Sequence, residues 1–165
     1  MKEQPSSKPR HLNKLLNEGV RMQELPDYFD DLIQVLETYI AHKADHFTLQ
    51  TYGGNYIDGP YVQALQEHDN VLLIEAISNE FLDPPLEEPG QQAMLFMGWR
   101  FYPERYLPNY AQFIDQSTVS PREIAIKMAQ ALHFAYGVDD TYSFEIAPHL
   151  DAAKSLIERL GISNG

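Results

Sequence analysis

The sequence predicts an α+β fold, an antiparallel sheet with helices packed on one face, and three observations carry the prediction. Residues 46–52, 61–66 and 71–78 form strand-like runs with short connections, whereas a parallel pairing would need a crossover of about a dozen residues or more. An amphipathic pattern precedes them, with Phe29, Leu32, Ile33, Leu36 and Ile40 at three- and four-residue steps. After them, Ser120-Pro121-Arg122-Glu123 forms a capping box with proline at the first helical position.

In chain order, residues 1–24 read as a flexible basic leader. Leu12, Leu15, Leu16 and Val20 there recur at helical spacing around Gly19, as in a short helix that docks on the body or on a second copy. Pro26 and Asp27 open the first long helix, with Asp27 as its cap. His46–Tyr52 alternates, Gly53-Gly54-Asn55 turns the chain, and a second strand surrounds Tyr61–Gln66. His68-Asp69-Asn70 breaks it, and Val71–Ser78, apolar and β-branched, reads as a central strand. Pro84 and Pro85 stiffen the loop that follows, and residues 89–97 form a short helix closed by Gly98. The aromatic segment from Trp99 to Tyr110 reads as irregular, with a strand at Ala111–Ile114. The capping box then starts a helix over Pro121–Tyr136, stopped by Gly137. A strand at 141–146 and a last helix carrying Ala153, Leu156, Ile157 and Leu160 complete the chain, Gly161 ending it.

Length and composition bound the function. With 165 residues and 44% hydrophobic content the chain can bury a core without staples, and we expect a single α+β domain over residues 25–165. Cysteine is absent, which removes disulfides, thiolate metal sites and a cysteine nucleophile, and agrees with a cytoplasmic location. No apolar run is long enough to span a membrane, and no secretory signal is expected. The net charge is −12; residues 1–24 hold five cations against three anions, so the remainder carries −14. A body that acidic repels phosphate backbones, so no nucleic-acid partner is expected, while a cationic polypeptide suits it.

Tyr61-Val62-Gln63, Glu75, Ser78-Asn79 with Phe81-Leu82, Gly98-Trp99 and Pro108-Asn109 fall in the order helix, three strands, helix, loop, helix. In these motifs, over residues 27–148, the chain resembles the peptide-binding domains grouped as TY-Chap, which are similar to type III secretion chaperones and the YbjN group. The resemblance implies a type III secretion chaperone-like fold, a polypeptide client held without turnover, and a homodimer.

The residues suggest where a client would sit: a sheet edge at the Tyr61–Gln66 strand beside an aromatic loop at Trp99–Tyr110. Gln63 and Glu75 face each other across neighbouring strands, as a polar ridge for a partner or as a plain cross-strand hydrogen bond. Trp99, the only tryptophan, suits core packing after a helix stop or an interface anchor. Tyr102, Tyr106 and Tyr110 lie in a segment with no period to bury them. The expected peptide-binding set is thus Tyr61, Gln63, Glu75, Trp99, Tyr102, Tyr106 and Tyr110. Asn79 is expected to turn the chain. No catalytic residue and no cofactor is expected.

Two other readings compete. His42, Asp45 and His46 have the spacing of helix-borne metal ligands for a hydrolase, but Lys43 stands where the His-Glu-x-x-His motif needs its glutamate. Alternatively, the basic leader would bind a separate acidic partner in a regulatory role.

Overall fold

The computed structural model describes residues 24–164. Its strands are β1 (His46–Tyr52), β2 (Tyr61–His68), β3 (Val71–Ala76), β4 (Arg100–Tyr102), β5 (Leu107–Asp115), β6 (Ser143–Ala147) and β7 (Ser163–Asn164). They form one sheet in the order β4-β5-β3-β2-β1-β6-β7. Every pairing is antiparallel except that of β6 with the two-residue β7. The helices are α1 (Asp30–Ala41), α2 (Glu88–Phe96), α3 (Pro121–Gln130) and α4 (Lys154–Leu160). The leader expected over residues 1–24 lies outside the described residues except for Glu24.

Period-2 alternation sends one set of strand side chains to a common face. Phe47 and Leu49 of β1 stand opposite Ala64 and Val62 of β2, which in turn face Ile74 and Ala76 of β3. Tyr110 and Ile114 of β5 and Ile146 of β6 continue the row. All of these are buried, and they share one core with Leu32, Leu36 and Tyr39 of α1, Met94 of α2, Ile124 and Met128 of α3 and Ile157 of α4. Tyr39 meets Phe47 with ring centroids 5.0 Å apart. The helices therefore pack on one face of the sheet, as the sequence predicts.

The segment from Trp99 to Tyr110 corrects an expectation. It is not irregular: β4, a short 3-10 turn at Pro103–Arg105 and β5 make a hairpin on β3. Its strands are hard to read because β4 has only three residues, Pro103 opens the turn and Pro108 sits at the start of β5, which masks alternation. The Tyr61–Gln66 strand is also corrected. As β2 it is flanked by β1 and β3, so the sheet's described edges are β4 and β7.

Two helix starts contrast. Asp27 does not cap α1; it sits inside a 3-10 turn, Asp27–Phe29, whose entry residue is Pro26, and no side chain caps the helix. At α3 the capping box is complete: Glu123 N donates to Ser120 Oγ (3.1 Å) and Ser120 N donates to Glu123 Oε1 (3.0 Å). The helix ends earlier than expected, passing into a π turn at Ala131–Ala135 before Gly137 at φ +78°.

Replacing Ser120 by alanine is expected to lower stability by about 1 kcal/mol in urea denaturation. The bonds to Ser120 hold the Glu123 carboxyl below its ordinary value of 4.5. Its contribution is therefore complete above the unfolded value and is lost as pH falls through the depressed folded value. Glu123→Gln should differ from wild type at neutral pH, and the two should converge in strong acid.

Candidate functional site

The register that fills the core points the alternate side chains to the opposite face, over which no described helix lies. Across its centre run Gln50 and Thr48 of β1, Tyr61, Gln63 and Leu65 of β2, Leu73 and Glu75 of β3, then Ala111 and Phe113 of β5. One end of this face is a polar row. Gln63 Nε2 donates to Glu75 Oε2 (3.4 Å), and Thr48 Oγ1 donates to Gln63 Oε1 (3.3 Å). Asn109 Nδ2 donates to Glu75 Oε1 (3.3 Å) and to the Tyr61 hydroxyl (3.1 Å). Asn109 Oδ1 accepts from Ser78 N (3.1 Å), which locks the amide's orientation.

Glu75 is only 9% exposed, and two side-chain amides, those of Gln63 and Asn109, donate to it. A carboxylate in that position is held by donors aimed at it, the arrangement that makes a buried polar group tolerable. Burial pushes the Tyr61 hydroxyl above its ordinary range and Glu75 adds to this, while the bond from Asn109 works in the opposite sense.

The other end of the face is apolar and strapped. Leu73 stands between Leu65 and Phe113 in register. The Arg105 guanidinium lies 4.4 Å from the centre of the Phe113 ring and reaches Glu67 Oε1 at 3.1 Å. Phe113 belongs to β5 and Glu67 to β2, so this pair bridges over the intervening β3, and Leu73 is 2% exposed beneath it. Glu67 falls in the register shift between Gln66 and His68. Tyr102 meets Phe113 edge-on, with centroids 5.2 Å apart.

The residues expected at the site therefore separate. Tyr61, Gln63 and Glu75 come together in the polar row, and Gln63 and Glu75 are direct cross-strand partners. Tyr102 belongs to the same face through Phe113. Tyr106 stands clear at 92% exposure, with its backbone in the left-handed region at φ +56°. Trp99 is 0% exposed, and Tyr110 points to the core side, where it stacks on Phe101 at 4.4 Å. Neither ring reaches the surface. Asn79 pins its loop, donating to Leu86 O and accepting from Leu86 N.

Sequence reading missed Thr48, Glu67 and Arg105 and used Asn109 only as part of a motif. The signal for Asn109 was faint, since the prolines at 103 and 108 mask the alternation that would have set its amide on the same face as Glu75.

His42 ends α1 and donates from Nδ1 to Thr38 O (3.0 Å). Among the described residues there is no group of three or more His, Cys, Asp or Glu side chains placed to hold a metal. No described helix is long and apolar enough to cross a membrane.

Among the described residues, cavities open on the helix side. One, about 500 Å³, sits between residues 84–90 and the turn around Tyr142. Tyr142 lies on the Gly53-Gly54 turn so closely that a Cβ at Gly53 would come within 2.7 Å of its ring. Another, about 260 Å³, opens between the start of α1, the approach to β6 and the end of α4.

The family model TY-Chap3, described as T3SS (YopN, CesT) and YbjN peptide-binding chaperone 3, matches residues 26–146, more than half of the chain. No curated protein and no solved structure matches.

Proposed function

We propose that this chain, which belongs to the TY-Chap3 family, is a cytoplasmic, non-catalytic chaperone that works as a homodimer and holds an extended polypeptide segment on the open face of its sheet, beside the β4 edge. Family membership supports a protein-binding role. The observation that carries the placement is a sheet face over which no described helix lies, where a fixed polar row and an apolar patch adjoin an edge strand. A client strand added beside β4 gains main-chain hydrogen bonds, and alternate side chains confer selectivity.

Tyr61, Gln63 and Glu75 form the polar half of this surface, and Tyr102 and Tyr106 form its aromatic rim. Trp99 and Tyr110 support it from beneath. Glu67, Glu75, Asp115 and Glu145 face this side against Arg100 and Arg105. The excess of carboxylates steers cationic clients and raises the association rate more than the affinity.

Tyr106 offers a test that separates binding from folding. A tyrosine in the left-handed region with an almost fully exposed ring gains nothing from packing, and such strain collects at functional positions. Tyr106→Gly relieves the backbone, so stability should hold or rise by up to about 1 kcal/mol. Peptides selected from a random display library on the wild-type protein should bind the variant at least about tenfold more weakly, a loss of about 1.4 kcal/mol. If selection yields no binding peptide, or if Tyr106→Gly and Tyr102→Ala leave affinity unchanged, the proposed surface is wrong.

A further inference from the structure

The cavity of about 260 Å³ on the helix side has apolar walls, Tyr28 of the turn before α1, Leu32 of α1, Phe144 of β6 and Leu160 of α4, and Asp139 and Asp140 line it as well. Burial raises the Tyr28 hydroxyl, and both aspartates add to the shift, which sets their charge against the ring. This site wants a segment with apolar side chains on one side and a cation beside them.

The same chain carries such a segment, and it starts next to the cavity. Leu25 packs against the core, three residues before Tyr28 in the cavity wall. Residues before it hold Leu12, Leu15, Leu16 and Val20 at helical spacing, with Lys14 and Arg21. Even fully extended, the five residues from Leu25 back to Val20 span at most about 18 Å. A tether this short leaves Val20 and Arg21 within reach of the cavity wall at Tyr28. Residues 1–23 hold five cations against two anions, whereas the whole chain carries −12. Opposite charge and a short tether both favour an intramolecular contact, because a tethered partner acts at a high effective concentration.

We propose that residues 12–22 dock in this cavity, with Leu16 and Val20 entering between Tyr28, Leu32, Phe144 and Leu160 and Arg21 pairing with the aspartates. The basic segment then serves its own acidic body. The site is on the helix side, so it is distinct from the sheet face assigned to the client.

The absence of cysteine makes the test direct. A nitroxide on Asn17→Cys, outside the apolar stripe, is the only label in the full chain. Amide resonances of Tyr28, Asp140, Phe144 and Leu160 are expected to lose at least half their intensity relative to the reduced label. Asp139 already accepts two bonds from Thr141, so the charge is reversed at the exposed Asp140. Asp140→Lys, or Val20→Asp, should restore the intensities. Broadening centred on Leu65 and Phe113, on the outer faces of α2 and α3, or nowhere would overturn the proposal. So would broadening seen only between chains in a mixture of labelled and isotopically enriched protein, which would make a second copy the donor.

Discussion

Trp99→Ala is expected to lower the unfolding free energy by about 3–5 kcal/mol, the range for deleting a fully buried large aromatic side chain. Trp99 follows Gly98 at φ +97° and its N–H donates to Met94 O (3.0 Å), so the end of α2 aims the ring into the core before β4 begins. The ring is 0% exposed and belongs to the same cluster as Met94 and Tyr110. Among the described residues its indole Nε1 has no hydrogen-bond partner. An unmet buried donor weakens the state that holds it, so Trp99→Phe should lose clearly less than Trp99→Ala. Urea denaturation followed by far-ultraviolet circular dichroism measures both. A loss under about 1 kcal/mol in the alanine variant would mean that the site collapses around the missing ring, contrary to close packing.

Asn109→Leu is expected to cost about 2–4 kcal/mol, although leucine is nearly the same size. The substitution strips the buried Ser78 N–H of its acceptor and Glu75 of a donor, and each orphaned group costs about 1–3 kcal/mol. Because Asn109 also holds the Tyr61 hydroxyl, affinity for display-selected peptides should fall along with stability. A double-mutant cycle with Glu75→Gln should show coupling of about 1 kcal/mol, as members of one hydrogen-bond network do. Asn109→Asp keeps an acceptor for Ser78 but sets a second carboxylate against Glu75. Like charges raise the pKa of such a pair in the folded state, so this variant should be weakest at neutral pH and recover as acid adds a proton. Equal losses at all pH values would show that Glu75 does not feel position 109.

The candidate site was legible in part. Gln63 and Glu75 could be set against each other from sequence because their strands are neighbours in the chain, but their direct pairing rests on the register shift at Glu67, without which the turn at Asp69-Asn70 would set Gln63 opposite Ala76. Nothing local tied Asn109 to Glu75, since β5 reaches β3 only after α2 and β4 intervene. Arg105 and Glu67 likewise meet across three strands, in an exposed turn and at a register shift, where sequence patterns carry no period. The expectation that 61–66 formed an edge failed for the same reason. Which strand becomes an edge depends on whether a distant strand joins it, and here β1 and β3 both pair with β2.

Sequence alone determined the elements whose causes are local. The bounds of β1 follow from unbroken alternation, the start of α3 from Ser120 and Glu123, and the ends of α2 and α4 from Gly98 and Gly161 at positive φ. Tertiary structure decided which distant segments complete the sheet, that Trp99 and Tyr110 turn inward while Tyr106 stands out, and which face the described helices leave open. Local steric and hydrogen-bond preferences are strong enough to show in a few residues. Long-range pairing and burial depend on the volume that all elements fill together, and no short stretch of chain encodes that.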